Sequence, residues 1–351
     1  MSHVAAECPP PSDEAALPGN ILIHHTRDTA EKQWAETCVL TLAGVSRVFS
    51  TRSHILQKLQ DYPRAFALLL EMIEASALSK NSEVALNSLK SFQEVVNSEN
   101  KVFDDKSNST TNVSFLAIQE HELDLWTNAW RVWQNIGARA MEPSHFSRTI
   151  KDNSGKVETK TVYPSQPFLT ALVNIFPPLL TRIYTRFGIG DLQRLCNILK
   201  RAVTMPLHSD TSPFLLPTFH HEAVLSPLQQ SVLTAIKMLV KETPLLDGQH
   251  LLDFNAQQPM FPTLFTLLLT FVEYACCPPN VTGAKEEGGA GGGPQVRGRA
   301  GEWIVMNYVP LAESSMSMVQ ELYKESYAKD TVVRENVLQK IIEVRTHCSV
   351  Y

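Results

Sequence analysis

Apolar residues recur at steps of three and four along almost the whole chain, and that spacing favours one kind of secondary structure. Between Thr29 and Phe49 they fall at Trp34, Cys38, Leu42, Val45 and Phe49. This is the period of one face of an α-helix, not the alternation of a strand. Asp28 or Thr29 supplies an oxygen for the helix N-terminus, with Glu31 and Lys32 in the first turns. A second helix is expected from Pro63 to Leu78, opening with proline where a missing N–H costs nothing. A third is expected from Ser82 to Val96, with Ala85, Leu89, Phe92 and Val96 on one side. Leu123, Trp126, Trp130 and Trp133 mark a fourth, expected to end near Gly137 in a left-handed C-terminal residue. Further helices are expected over Pro167–Phe187, Asp191–Val203, Glu222–Lys241 and Pro262–Cys277, each bounded by Pro or Gly. A final amphipathic pair covers Pro310–Tyr327 and Thr331–Val344, the latter with Val333, Val337, Ile341 and Val344 on one face.

Successive helices with short breaks and no recurrent strand predict an all-α fold of stacked helical hairpins, a HEAT/armadillo-like α-solenoid. No crisp repeat is visible, which degenerate repeats tolerate because each position need only keep its apolar face. One compact irregular bundle is the competing all-α arrangement. Residues 1–20 are expected to be a disordered N-terminal segment, 21–345 the helical repeat region and 346–351 a C-terminal tail. Two polar loops are expected at 97–114 and 143–163; in the second, Lys156–Val162 has only weak strand character. Residues 281–301 read as a Gly-rich linker, since eight of the fifteen glycines lie between Gly283 and Gly301.

Composition excludes several functions. The net charge is −5, without the basic excess of a nucleic-acid binder. Six cysteines with no C-x-x-C pair give neither a disulfide scaffold nor a redox motif, as expected of a reduced intracellular protein. The N-terminus has no basic segment followed by an apolar core, and the longest apolar run, Leu264 to Cys277, is too short to span a bilayer. A soluble chain is expected, in which the glycosylation-type triplets at Asn108, Asn112 and Asn280 are chance occurrences.

A search for chemistry finds no constellation. Neither G-x-x-x-x-G-K-[ST] nor G-x-S-x-G occurs, and Gly188-Ile189-Gly190 reads as a helix stop and restart. His220-His221-Glu222 and His24-His25 are adjacent residues that point apart, which makes poor chelates. Cys38 and Cys196 lie on apolar helix faces and read as small core residues. The tryptophan stripe reads as core, with a ligand-stacking platform as the alternative. No catalytic, cofactor-binding or metal residue is assigned.

The charge distribution suggests where a partner would dock. Residues 164–280 carry seven basic and seven acidic residues in 117 positions, 12% against 19% overall. Such helices either bury one another or offer apolar surface. A groove built from the second helix of each pair is expected, with Arg182, Arg186, Arg194, Lys200 and Arg201 as a basic rim. Alternatively, the arginines are ordinary solvated positions on helix backs.

Several segments resemble one family. Asp28 to Phe49 is similar to the C-terminal region of Mon-two proteins, as are Ala77 to Glu83 and Leu89 to Glu94. The similarity continues through Asp124-Leu-Trp126 with Trp130, Pro164 to Leu172 with Phe176-Pro177, and Asp191-Leu-Gln193. Ser212-Pro-Phe214, Glu222 to Leu225, and Glu302-Trp303 with Asn307 to Pro310 complete the run, in order over most of residues 20–345. The resemblance implies a non-enzymatic helical-repeat scaffold, cytoplasmic and peripheral to Golgi and endosome membranes, without the Sec-seven catalytic domain of the related Arf exchange factors. It implies Dopey-type and lipid-flippase trafficking partners, with Arf-like GTPases as further candidates. Neither cofactor nor nucleic acid is implied, and membrane association runs through partners. The chain is expected to carry only the C-terminal part, without upstream dimerisation and Sec-seven-homology regions. Regulation of, or nucleotide exchange on, an Arf-like GTPase is the alternative function.

Overall fold

The computed structural model describes residues 29–98, 112–142, 147–151, 157–161, 163–205, 224–242, 261–275 and 295–327, with Gln339 and Ile342. Helix α1 (Ala30–Thr51) starts where Thr29 Oγ1 accepts the Lys32 N–H at 3.4 Å. A single turn, α2 (Ser53–Leu56), leads to α3 (Tyr62–Ala77), which has Pro63 in its first turn. Helix α4 (Ser82–Val96) is capped by Asn81, whose Oδ1 accepts the N–H groups of Glu83 and Val84 at 3.0 and 3.2 Å. Helix α5 spans Asn112–Ala140. Ser165 caps α6 (Gln166–Ile183), and a 3₁₀ turn (Tyr184–Arg186) separates it from α7 (Ile189–Thr204). Helix α8 (Pro227–Lys237) opens on a capping box between Ser226 and Gln229 and runs into a π turn, Met238–Glu242. Helices α9 (Phe261–Glu273) and α10 (Gln295–Tyr327) follow.

These helices stack in two rows. Helices α3, α5, α7 and α9 pack in order along one row, and α1, α4, α6, α8 and α10 along the other. Across the rows α3 pairs with α4, α5 with α6, α7 with α8 and α9 with α10. The fold is therefore the expected all-α stack of hairpins.

One apolar core runs through the array from Leu42 to Leu322. Its centre is aromatic: Trp130 and Trp133 stack at 4.9 Å, and Phe176 lies 5.9 Å from each. Phe66 meets Trp126 edge-on at 5.5 Å, and the Trp133 indole N–H donates to the Leu172 carbonyl at 2.8 Å. All three tryptophans are buried, so the stripe is core and no stacking platform.

Several boundaries differ from expectation. Helix α5 passes through Gly137 to Ala140. A Cβ at Gly137 would lie 2.9 Å from Ile198 Cδ1, so this glycine marks the close approach of α5 to α7. The same helix begins at Asn112, inside the loop expected at 97–114, because from Val113 the sequence turns to helix formers such as Leu116, Ala117 and Gln119. Within the loop expected at 143–163, Ser147–Lys151 pairs antiparallel with Val157–Thr161 in the register Ile150↔Glu158. β-Branched residues take half of the strand positions, and Asn153-Ser-Gly155 lies between the strands in sequence. Helix α8 begins at Pro227 rather than Glu222, since Ser226-Pro227 is the stronger start signal.

Helix α10 starts at Gln295, inside the expected glycine linker, and carries Pro310 in its interior. Tyr308, two residues before the proline, is anchored in the core. Its ring meets Tyr274 edge-on at 5.4 Å and its hydroxyl donates to the Val203 carbonyl at 2.8 Å. That anchor fixes the helix immediately before the proline. Both histidine pairs, the segments 1–20 and 346–351, and nearly all of the helix expected at Thr331–Val344 lie outside the described residues.

Candidate partner-binding surface

Asp191, in the first turn of α7, organises the seam between α5 and α7. Its Oδ2 accepts the Gly188 N–H at 3.1 Å, capping α7. Its Oδ1 accepts the Trp130 indole N–H at 2.9 Å, a Gln134 amide N–H at 3.2 Å and an Arg194 N–H at 3.4 Å. Gly188-Ile189-Gly190 is thus the helix restart that its sequence suggests.

The arginines expected at a rim line the same seam. Arg182 lies over the Trp126 ring, 4.9 Å from its centroid, and donates to the Ser98 carbonyl. Burial lowers its pKa, an effect that Glu122 opposes. Arg186 donates to Asp124 and, at 3.4 Å, to the Thr127 hydroxyl. Arg194 donates to Gln134 Oε1 at 3.3 Å. Arg201 donates to the Ala138 carbonyl at 3.4 Å and to the Met141 carbonyl, satisfying the C-terminal end of α5. The partners Asp124, Thr127, Gln134, Ala138 and Met141 follow one another at near-helical spacing along α5. Their shared face is the signal that a reading centred on the arginines overlooks. All four arginines therefore contact α5 from the neighbouring α6–α7 segment, while the side chains of Arg186 and Arg194 stay exposed.

Lys200 lies elsewhere on α7. It is exposed and lines a cleft of about 480 Å³ between α7 and α9. Gln193 and Asn197 share its wall, facing Thr263, Thr266 and Thr270. The cleft thus sits on the row of first helices, with a lining of mixed polar and apolar character. The apolar groove expected over 164–280 does not form among the described residues. Leu169, Leu172, Leu179, Leu195 and Leu199 are buried between helices, and among the described residues of that stretch Val224 is the one highly exposed large apolar residue. At the cleft's edge, burial pushes the Cys196 thiol up to about 12, so it stays protonated at neutral pH.

Among the described residues, no three His, Cys, Asp or Glu side chains converge to hold a metal ion. No described helix is long and apolar enough to cross a membrane.

Residues 11–119 and 98–350 match a family described as the C-terminal region of Mon2 protein. A Mon2 homolog from Homo sapiens is 40% identical over 371 residues, covering 93% of this chain and 20% of that protein. Its counterpart from Xenopus laevis is 39% identical over 373 residues, with the same coverage. A Caenorhabditis elegans protein, Monensin-resistant homolog 2, is 27% identical over 355 residues and again covers 93% and 20%. The chain thus spans about a fifth of the length of these relatives. No solved structure matches it. By sequence match over nearly its whole length, the chain belongs to the Mon2 family, in the region that forms the C-terminal part of those proteins.

Proposed function

We propose that this chain is a non-enzymatic helical scaffold in vesicle-mediated protein transport between endosomes and the Golgi. On this reading it is cytoplasmic and reaches those membranes through protein partners, Dopey-type proteins and lipid flippases, with Arf-like GTPases as further candidates. Membership of the Mon2 family carries the proposal. The two-row array supports it, because such arrays bind extended segments along their length. Lys200 is exposed at the wall of the cleft, where it could meet a carboxylate of a bound segment.

Affinity purification with mass spectrometry, using the whole chain and a Lys200→Glu variant, tests both levels. Dopey-type proteins and flippases should co-purify with the wild type and be depleted from the variant. Recovery of neither would overturn the trafficking role, and equal recovery would remove Lys200 from the interface. Accelerated nucleotide release from an Arf-like GTPase by the purified chain would instead make it an exchange factor.

A further inference from the structure

The array opens on half a hairpin. Helices α4, α6, α8 and α10 each pack against a first helix of their own, α3, α5, α7 and α9, whereas α1 has no such predecessor among the described residues. The place of that missing helix is bounded by the outer faces of α1 and α3. On α1, Ser50 Oγ donates to Glu94 of α4 at 3.3 Å and so marks the side turned toward α4. The opposite side carries Trp34, Thr37, Thr41, Gly44, Val48 and Thr51, at steps of three and four, all exposed and none charged. On α3, the contacts of Phe66 with Trp126 and of Glu74 with Arg139 mark the side turned toward α5. Ala65, Leu68, Met72 and Ala75 lie opposite, again at helical spacing.

This face has the character of a helix seat. Trp34 is 70% exposed, Val48 52%, Leu68 52% and Met72 44%. The Thr37 and Thr51 hydroxyls donate to carbonyls of their own helix, both at 2.7 Å, so covering them strands no donor. A Cβ at Gly44 would meet nothing within 4 Å, which leaves room for close approach. A repeat that ends an array presents a polar outer face, and this one presents two uncharged stripes. The matching family is a C-terminal region, so in its relatives further chain lies on the N-terminal side.

We infer that the outer face of α1 and α3 seats one more amphipathic helix, the first helix of a hairpin that α1 completes, supplied by the preceding part of a Mon2-type protein. In sequence, Pro9-Pro10-Pro11 and Pro18-Gly19 divide residues 1–28 into runs shorter than the α1 stripe. The inference rests on family membership and packing, independently of the trafficking role.

The probe is the Xenopus laevis relative truncated just before its matched region, mixed with the full chain and followed by sedimentation and calorimetry. The wild type should bind it, and Val48→Glu/Leu68→Glu/Met72→Glu should weaken binding at least 100-fold while keeping the wild-type melting temperature. Binding should also shield Trp34 from iodide quenching, a change absent from a Trp34→Phe variant. No binding, or equal binding by the triple variant, overturns the inference. A wild-type dimer that the triple variant abolishes would replace the helix by a second copy of this chain. A melting temperature lowered by deleting residues 1–28 in the wild type, and unchanged by that deletion in the triple variant, would assign the face to the chain's own leading segment.

Discussion

The Trp130 indole N–H, in the aromatic centre of the core, donates to the carboxylate of Asp191 at 2.9 Å, and the same carboxylate caps α7 through the Gly188 N–H. One side chain thus sets where α7 begins and how it lies against α5. Removing it should cost more than a surface aspartate would. Asp191→Ala loses a cap of ~1 kcal/mol and leaves the Trp130 donor unpaired, a further ~1–3 kcal/mol. Urea unfolding should therefore show a loss of several kcal/mol, and Asp191→Asn, which keeps an acceptor oxygen, a clearly smaller one. Equal losses in the two variants would refute a hydrogen-bonding role.

Gly137 offers a test in which the sign reverses. Alanine at a helix interior is ordinarily better than glycine by ~1 kcal/mol, but here its Cβ would come within 2.9–3.2 Å of three Ile198 atoms. A β-branched side chain in a helix has one strongly preferred χ1 rotamer, so Ile198 cannot readily swing away, and overpacking costs ~1–3 kcal/mol. Gly137→Ala should lower the melting temperature in the wild type and raise it in an Ile198→Ala background. The same sign in both would show that the seam relaxes freely.

Gly137 also illustrates what the sequence could convey. Helical period, caps and the buried tryptophans were legible because each depends on neighbours three or four residues away. A glycine that ends a helix and one that admits a neighbouring helix look alike in sequence; the difference is Ile198, 61 positions on. Pro310 misled in the same way, because its context is Tyr308 bonded to Val203, 105 residues earlier. Among the basic residues, Lys200 and Arg201 are adjacent, yet one faces solvent and the other closes α5. A helix turns about 100° per residue, so composition alone could not separate them.

That separation predicts opposite phenotypes. Arg182→Ala removes a cation–π contact worth ~0.5–2 kcal/mol and the donor to Ser98, ~1 kcal/mol, and should lower thermal stability measurably. Lys200→Ala should leave stability within ~0.5 kcal/mol, as an exposed substitution does. Thermal melts of the two proteins side by side check this, and a destabilised Lys200→Ala would show that the lysine also holds the array together.

Ser46 and Ser315 are fully buried, and their hydroxyls have no partner. An unpaired buried hydroxyl costs ~1–3 kcal/mol, so Ser46→Ala and Ser315→Ala should each raise the urea midpoint. Ser88 is the control: it is equally buried, but its hydroxyl donates to the Ala85 carbonyl at 2.7 Å, and Ser88→Ala should bring no comparable gain. If all three respond alike, the orphan hydroxyls are not the cause.

Alkaline pH should destabilise the array. Burial pushes Cys196 up to about 12 and Tyr274 up to about 12, and raises Tyr308 as well, so all three hold their protons in the folded chain. In the unfolded chain a cysteine ionises near ~8.5 and a tyrosine near ~10. Between those values and the folded ones the unfolded state has fewer protons, so stability falls with rising pH, by up to ~1.4 kcal/mol per unit for each group. The contribution of these groups is whole below about pH 8.5 and is lost as pH climbs through the folded values. Urea midpoints taken from pH 8 to 11 should therefore fall, and Cys196→Ala should flatten the fall from about pH 9 upward. Tyr308→Phe should flatten it from about pH 10, while also losing at neutral pH the hydrogen bond to Val203. Unchanged slopes in both variants would place the alkaline sensitivity elsewhere in the chain.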